Sequence, residues 1–286
     1  MEAGSHSSRR GLGLSGSRFR FRHLLSLTLG LVAATILLGV AAKATGSGLA
    51  CQAQWPQCDT GPFDLFPASL PSFYEWIHRF IAMFAGFAIV GSALAAWRLP
   101  SIDRRVAGLV VGGALLVPIQ VYLGRATVFQ YRMEILSVHF WTAVLIFSLF
   151  AVAAVLVWSS ALGAGHVTAA LGLGLAALPV HVALSPTDLG LVTDYSPTVQ
   201  LLQYGVTLAL LTSVIVASLV GRWRLGDRRL SGFLVGTGLL AVVVAYLGRR
   251  TVMTFSSALD GLYLGLVGIL AVAFLAGLRW SHSARE

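Results

Sequence analysis

Eight stretches of the chain are apolar for long enough to cross a bilayer, and the polar residues fall mostly between them. A span needs about 20 such residues at 1.5 Å of rise each. Windows of that kind occur at 24–44, 73–97, 105–124, 134–158, 168–187, 199–221, 230–248 and 258–279. The pattern predicts an all-α integral membrane protein with eight transmembrane helices. Composition agrees: 57% of the 286 residues are hydrophobic and 11% are charged, against about 25% charged in soluble domains.

Charge then orients the spans. The net charge of +9 does not point to nucleic acid, because the arginines sit in the N-terminal tail and in short loops. Arg9, Arg10, Arg18, Arg20 and Arg22 resemble the basic region of a signal peptide. The apolar run behind them is about 20 residues long with no A-x-A-like site before Lys43, so it reads as a retained first helix. With the tail inside, the cytoplasmic side collects that tail, Arg98, Arg104, Arg105, Arg222, Arg224, Arg228, Arg229, Arg279 and Arg285. The outer side keeps Lys43, Arg79, Arg125, Arg132, Arg249 and Arg250. The bias predicts a multi-pass protein of the cell membrane with both termini cytoplasmic.

The pattern also repeats. Leu123-Gly124-Arg125-Ala126-Thr127-Val128 recurs 124 residues later as Leu247-Gly248-Arg249-Arg250-Thr251-Val252, each time where a third helix leads into a fourth. We therefore expect two tandem four-helix bundles: a basic tail over 1–23, an N-terminal half over 24–158 and a C-terminal half over 159–286. Parallel repeats place sites at equivalent positions.

Candidate chemistry lies at the head of the second window, in Tyr74-Glu75-Trp76-Ile77-His78-Arg79. Glu75 and His78 share a helical face, and ionisable groups in lipid are costly and mark function. His78 and His139 each lie about five residues, or about 7 Å, into helices that both run from outside to inside. Equal depth is what two imidazoles need to approach opposite faces of one haem iron. Singly, either reads as a hydrogen-bonded interfacial residue. Cys51 and Cys58, seven apart in the first outer loop, are the chain's two cysteines. A disulfide is allowed there, a reactive dithiol is the alternative, and zinc lacks ligands.

Lys43-x-Thr45-Gly46-Ser47-Gly48-Leu49-x-Cys51, then Trp55-Pro56-x-Cys58, then Glu75-x-x-His78-Arg79 resembles the haem A synthase family of cytochrome oxidase assembly. The resemblance implies an oxidoreductase that converts the C8 methyl of haem O to the formyl of haem A near the outer face. It implies His78 and His139 as axial residues around that haem, Glu75 as the catalytic residue that relays a proton or steadies a cationic intermediate, and Lys43 and Arg79 as propionate contacts, with an interfacial snorkelling residue as the alternative for Arg79. Cys51–Cys58 would order a capping loop. A haem O synthase is the implied partner, with an electron acceptor the sequence does not name, and a homo-oligomer is compatible with it.

The second half departs from the family pattern, which has a further histidine pair holding haem B. Helix alignment puts Gln203 opposite His78, and Tyr263, or Asp260 with a small shift, opposite His139, while His282 lies in the tail. A second haem is therefore not expected. His181, in the fifth window, reads as a hydrogen-bonded core residue with ligation as its alternative. Asp260 reads as a hydrated acid, and Asp188 and Asp194 as outer-loop acids. The competing functions are a bis-histidine electron-transfer protein and a non-catalytic oxidase assembly factor.

Overall fold

The computed structural model describes residues 15–51, 54–56, 58, 66–67, 69–187, 194–254 and 256–284. Among them run eight helices: α1 Ser15–Ala44, α2 Leu70–Arg98, α3 Arg104–Phe129, α4 Met133–Val157, α5 Ala164–Ala183, α6 Pro197–Arg224, α7 Arg228–Thr254 and α8 Ser257–Ser283. All eight are long and apolar enough to cross a membrane. Only helices and closed barrels satisfy their backbone groups in lipid, which is why apolar runs of this length fold so. Of the basic residues and acids assigned to loops, Arg9, Arg10, Arg285 and Asp188 lie outside the described residues.

The ends differ from the apolar windows for local reasons. α1 begins at Ser15, inside the stretch expected to be a tail. There Phe21 and Leu25 are buried against the bundle, and the Arg22 guanidinium lies 4.3 Å over the Trp158 ring. α5 is shifted toward the N-terminus. Its first turn is held by the Gly163 N–H donating to His166 Nδ1 at 3.0 Å, and it ends before Pro186, which disfavours helix at the preceding residue. α3 and α7 run past their windows through Arg125 and through Arg249 and Arg250. The repeated string thus forms the last turns of both helices rather than a loop.

Each half closes into a ring. α1 packs on α2 and α4, and α3 packs on α2 and α4, so α2 and α4 face each other across the diagonal. α5 to α8 repeat this order, with α5 against α6 and α8, and α7 against α6 and α8. One core joins Leu25, Ile89, Val110 and Phe150, and the other joins Leu171, Leu234, Leu270 and Phe274. Positions 124 apart share their environment: Val106 and Leu230, Val110 and Leu234, Ile146 and Leu270, and Phe150 and Phe274 are all buried. Asp103 and Asp227 match as well, each accepting from the backbone N–H two residues on. The two rings meet through α6, which touches α1 and α4.

Candidate functional site

The head of α2 is assembled before any ligand is considered. Ser69 caps the helix by accepting from the Ser72 N–H, and Pro71 suits the first turn, where its missing N–H costs nothing. One turn further, Glu75 is buried and pairs with Arg79 Nε at 3.0 Å. Arg79 Nη1 also donates to the Gln54 carbonyl at 2.9 Å and the Pro56 carbonyl at 3.3 Å. Cys51 and Cys58 form a disulfide with their Cα atoms 4.5 Å apart, and Ser72 Oγ donates to the Ala50 carbonyl. Arg79 therefore ties the loop to Glu75.

His78 sits one turn below Glu75. Its Nδ1 lies 3.1 Å from the Thr35 carbonyl oxygen of α1. A carbonyl only accepts, so Nδ1 carries the proton and Nε2 keeps a free lone pair. The ring fits against Gly39 of α1, where a Cβ would stand 2.9 Å from His78 Cε1. His139, on the diagonal helix α4, lies the same way against Gly124 of α3, where a Cβ would stand 3.3 Å from Cε1. Both imidazoles are half-buried and close enough for their charges to interact. His139 Nδ1 is buried with no hydrogen-bond partner among the described residues. Four-helix bundles build cofactor sites from side chains on facing helices in this way.

Among the described residues no three His, Cys, Asp or Glu side chains gather to hold a metal ion. Two imidazoles on opposite helices instead suit a metal that brings its own equatorial ligands, as haem iron does.

Two further residues border the site, and neither was singled out from sequence. Tyr131, between α3 and α4, packs its ring on Gly48. Burial raises its hydroxyl above the ordinary range, and the Glu75 carboxylate adds to that shift. Arg249 of α7 reaches over from the second half. Its guanidinium lies 4.1 Å over the ring of Phe140, the neighbour of His139, and Nη1 donates to the Tyr204 hydroxyl at 2.6 Å. Lys43, in the last turn of α1, is near enough to Arg249 for the two charges to repel.

The second half fills the equivalent space with polar side chains. Thr207 Oγ1 donates to the Gln203 carbonyl at 2.9 Å, so His181 Nε2 donates to Thr207 at 3.0 Å. His181 Nδ1 is left to accept from the Tyr263 hydroxyl at 2.6 Å. Gln203 Nε2 donates to Ser185 Oγ at 2.6 Å, and Tyr195 donates to Gln203 Oε1. Burial pushes the Tyr195 hydroxyl well above its ordinary range, with Tyr204 adding to the shift. Both His181 nitrogens are occupied, as expected of a hydrogen-bonded core residue. Gly248 again supplies the notch, a Cβ there standing 2.8 Å from His181 Cε1. Asp260, expected to be hydrated, is instead buried where the first turn of α8 packs into the bundle, while Asp194 is exposed. A surface groove between α3, α4 and α6 near Arg105 and Trp223 lies at the other end of the helices from both histidine sites.

No protein-family model matches the chain. It is 31% identical over 112 residues to the heme A synthase of Bacillus licheniformis, covering 38% of this chain and 36% of that protein. It is 29% identical over 146 residues to the heme A synthase of Bacillus pumilus, covering 50% of this chain and 47% of that protein. It is also 39% identical over 92 residues to the protoheme IX farnesyltransferase of Halobacterium salinarum, covering 32% of this chain and 20% of that protein. The matches thus span less than half the length of each of these relatives. The synthase relatives support the resemblance to the haem A synthase family read from the first half.

Proposed function

We propose that the chain is a haem A synthase with one working site, in its N-terminal half over 24–158. The carrying observation is the pair of half-buried imidazoles on diagonal helices α2 and α4, each set in a glycine notch, with the His78 tautomer fixed by the Thr35 carbonyl. In this reading His78 and His139 bind the iron of haem O from opposite faces. The orientation drawn from the basic loops puts the site at the outer side and both termini in the cytoplasm.

Conversion of the C8 methyl to a formyl adds one oxygen atom from water and releases four protons and four electrons. The electrons leave to an acceptor outside this chain. Glu75 is the carboxylate beside the site, and its role is to take a proton as water adds or to steady positive charge at the methyl carbon. Arg79 holds that carboxylate in place and fastens the disulfide loop over it. The second half, over 159–286, acts as a packed partner without haem, a reading supported by Tyr263 bonding to His181 and by Tyr263 and Gln203 both bonding to Ser185.

The match to a protoheme IX farnesyltransferase is consistent with a haem-handling protein. Prenyl transfer itself calls for closely spaced carboxylates to hold magnesium diphosphate. No two acidic residues in this chain are nearer than Asp59 and Asp64, five apart. The testing experiment is extraction of haem from cells that make haem O, with and without this protein, resolved by chromatography and mass. Haem A or its hydroxylated precursor should appear, and should vanish with Glu75→Ala or His78→Ala. Bound but unchanged haem with a low-spin bis-histidine spectrum would favour electron transfer or an assembly role instead.

A further inference from the structure

Arg249 belongs to the second half by sequence and reaches the first half by position. Its guanidinium rests on Phe140 of α4 at 4.1 Å and beside the Tyr204 ring at 5.4 Å. The Nη1 hydrogen bond to Tyr204 holds it from one side. Nε is buried and has no hydrogen-bond partner among the described residues. The Nε–Nη2 edge of a guanidinium is the fork that takes a carboxylate through two parallel hydrogen bonds.

No protein carboxylate fills that role among the described residues. The two ion pairs there are Glu75 with Arg79 and Glu134 with Arg132. Lys43 forms neither, yet it lies within electrostatic reach of Arg249. Two cations close enough to repel, neither ion-paired among the described residues, are an unfavourable arrangement beside a bilayer. An anion between them removes the repulsion. Arg125, the counterpart of Arg249 in the first half, turns away and lies 4.8 Å over Phe129, so the repeat alone does not explain the placement.

We propose that Arg249 holds a propionate carboxylate of the haem bound between His78 and His139. The C-terminal half thereby completes the N-terminal site. This rests on the haem reading above and adds the residue that recognises the porphyrin's acidic edge.

The test titrates the full chain in detergent with haemin and with haemin dimethyl ester, following the Soret band. Wild type and Arg249→Gln are compared, with Tyr204→Phe as a variant that keeps the guanidinium. A charge-assisted contact of this kind is worth about ten- to a hundredfold in affinity. Arg249→Gln should lose that factor for haemin, and bind the ester as wild type does. Tyr204→Phe should stay much closer to wild type for both ligands. The low-spin spectrum of the ester complex shows that the variant is folded and ligated through histidine. Equal affinity of wild type and Arg249→Gln for haemin would overturn the inference. So would an equal loss for both ligands, since the residue would then act on the fold and not on a carboxylate. If wild type gives no histidine-dependent spectrum with either ligand, the underlying haem reading fails with it.

Discussion

His181 Nδ1 of α5 lies 2.6 Å from the Tyr263 hydroxyl of α8, and Tyr263 stands 124 residues after His139. The residue that matches His139 in the repeat is thus engaged by a neighbouring helix of its own half. Tyr263→Phe removes the donor and leaves a buried nitrogen lone pair without a partner. Such a loss costs about 1–3 kcal/mol. It should appear as a lower unfolding midpoint in mixed micelles, with haem content unchanged. An unaltered midpoint would show that this hydrogen bond adds nothing to the fold.

The same network bears on stoichiometry. Haem extracted from the saturated full-length protein and quantified against chain should approach one per chain. His78→Ala and His139→Ala should each abolish the low-spin spectrum. Two haems per chain, or haem retained by the double variant, would place a second site in the half that we read as closed.

Gly39 offers a test that leaves both ligands in place. A Cβ there would stand 2.9 Å from His78 Cε1, closer than carbon atoms approach without displacement. Gly39→Ala should push the ring off the Thr35 carbonyl and shift the haem spectrum from low spin toward high spin. Gly30→Ala, where a Cβ meets nothing within 4 Å, should leave the spectrum alone. Like behaviour of the two variants would remove the notch from the account.

Much of this was legible in the sequence, for a physical reason. Lipid requires about 20 apolar residues per helix, so the existence and order of α1 to α8 could be read from hydropathy. Helix ends could not, because Arg125 and Arg249 remain helical past the apolar window. His78, His139 and Glu75 stood out because ionisable groups in apolar runs are rare. Thr35, Gly39 and Gly124 did not, since their part depends on which helix packs on which. Arg249 was counted as one more outer cation, and only the folded structure shows that its side chain reaches Phe140. Asp260 was read as hydrated because it lies near a helix end, but that end is inside the bundle.

Glu75→Gln separates binding from chemistry. The amide keeps the shape and can still bond Arg79, so haem should bind with a normal bis-histidine spectrum. Loss of a positioned acid or base typically lowers rate by about a hundredfold or more, and conversion of haem O to haem A should fall by that order. Full activity in this variant would assign the carboxylate to holding Arg79 and the loop.

Asp227 sets a pH limit on the second half, at the end away from the histidines. Its carboxylate accepts from the Leu230 and Arg229 N–H groups at the start of α7 and from Trp280 Nε1 of α8. The Leu230 hydrogen bond is the leading cause of a carboxyl held below its ordinary value. A group depressed on folding contributes stability above its unfolded value of about 3.9 and loses it as pH falls through the folded value. The unfolding midpoint of wild type should therefore decline below about pH 4 more steeply than that of Asp227→Asn. The asparagine still caps the helix but cannot titrate or accept from Trp280 through its amide nitrogen, so its midpoint should lie below wild type above about pH 4 and change less through that window. Parallel profiles for the two proteins would show that this carboxylate carries none of the acid sensitivity.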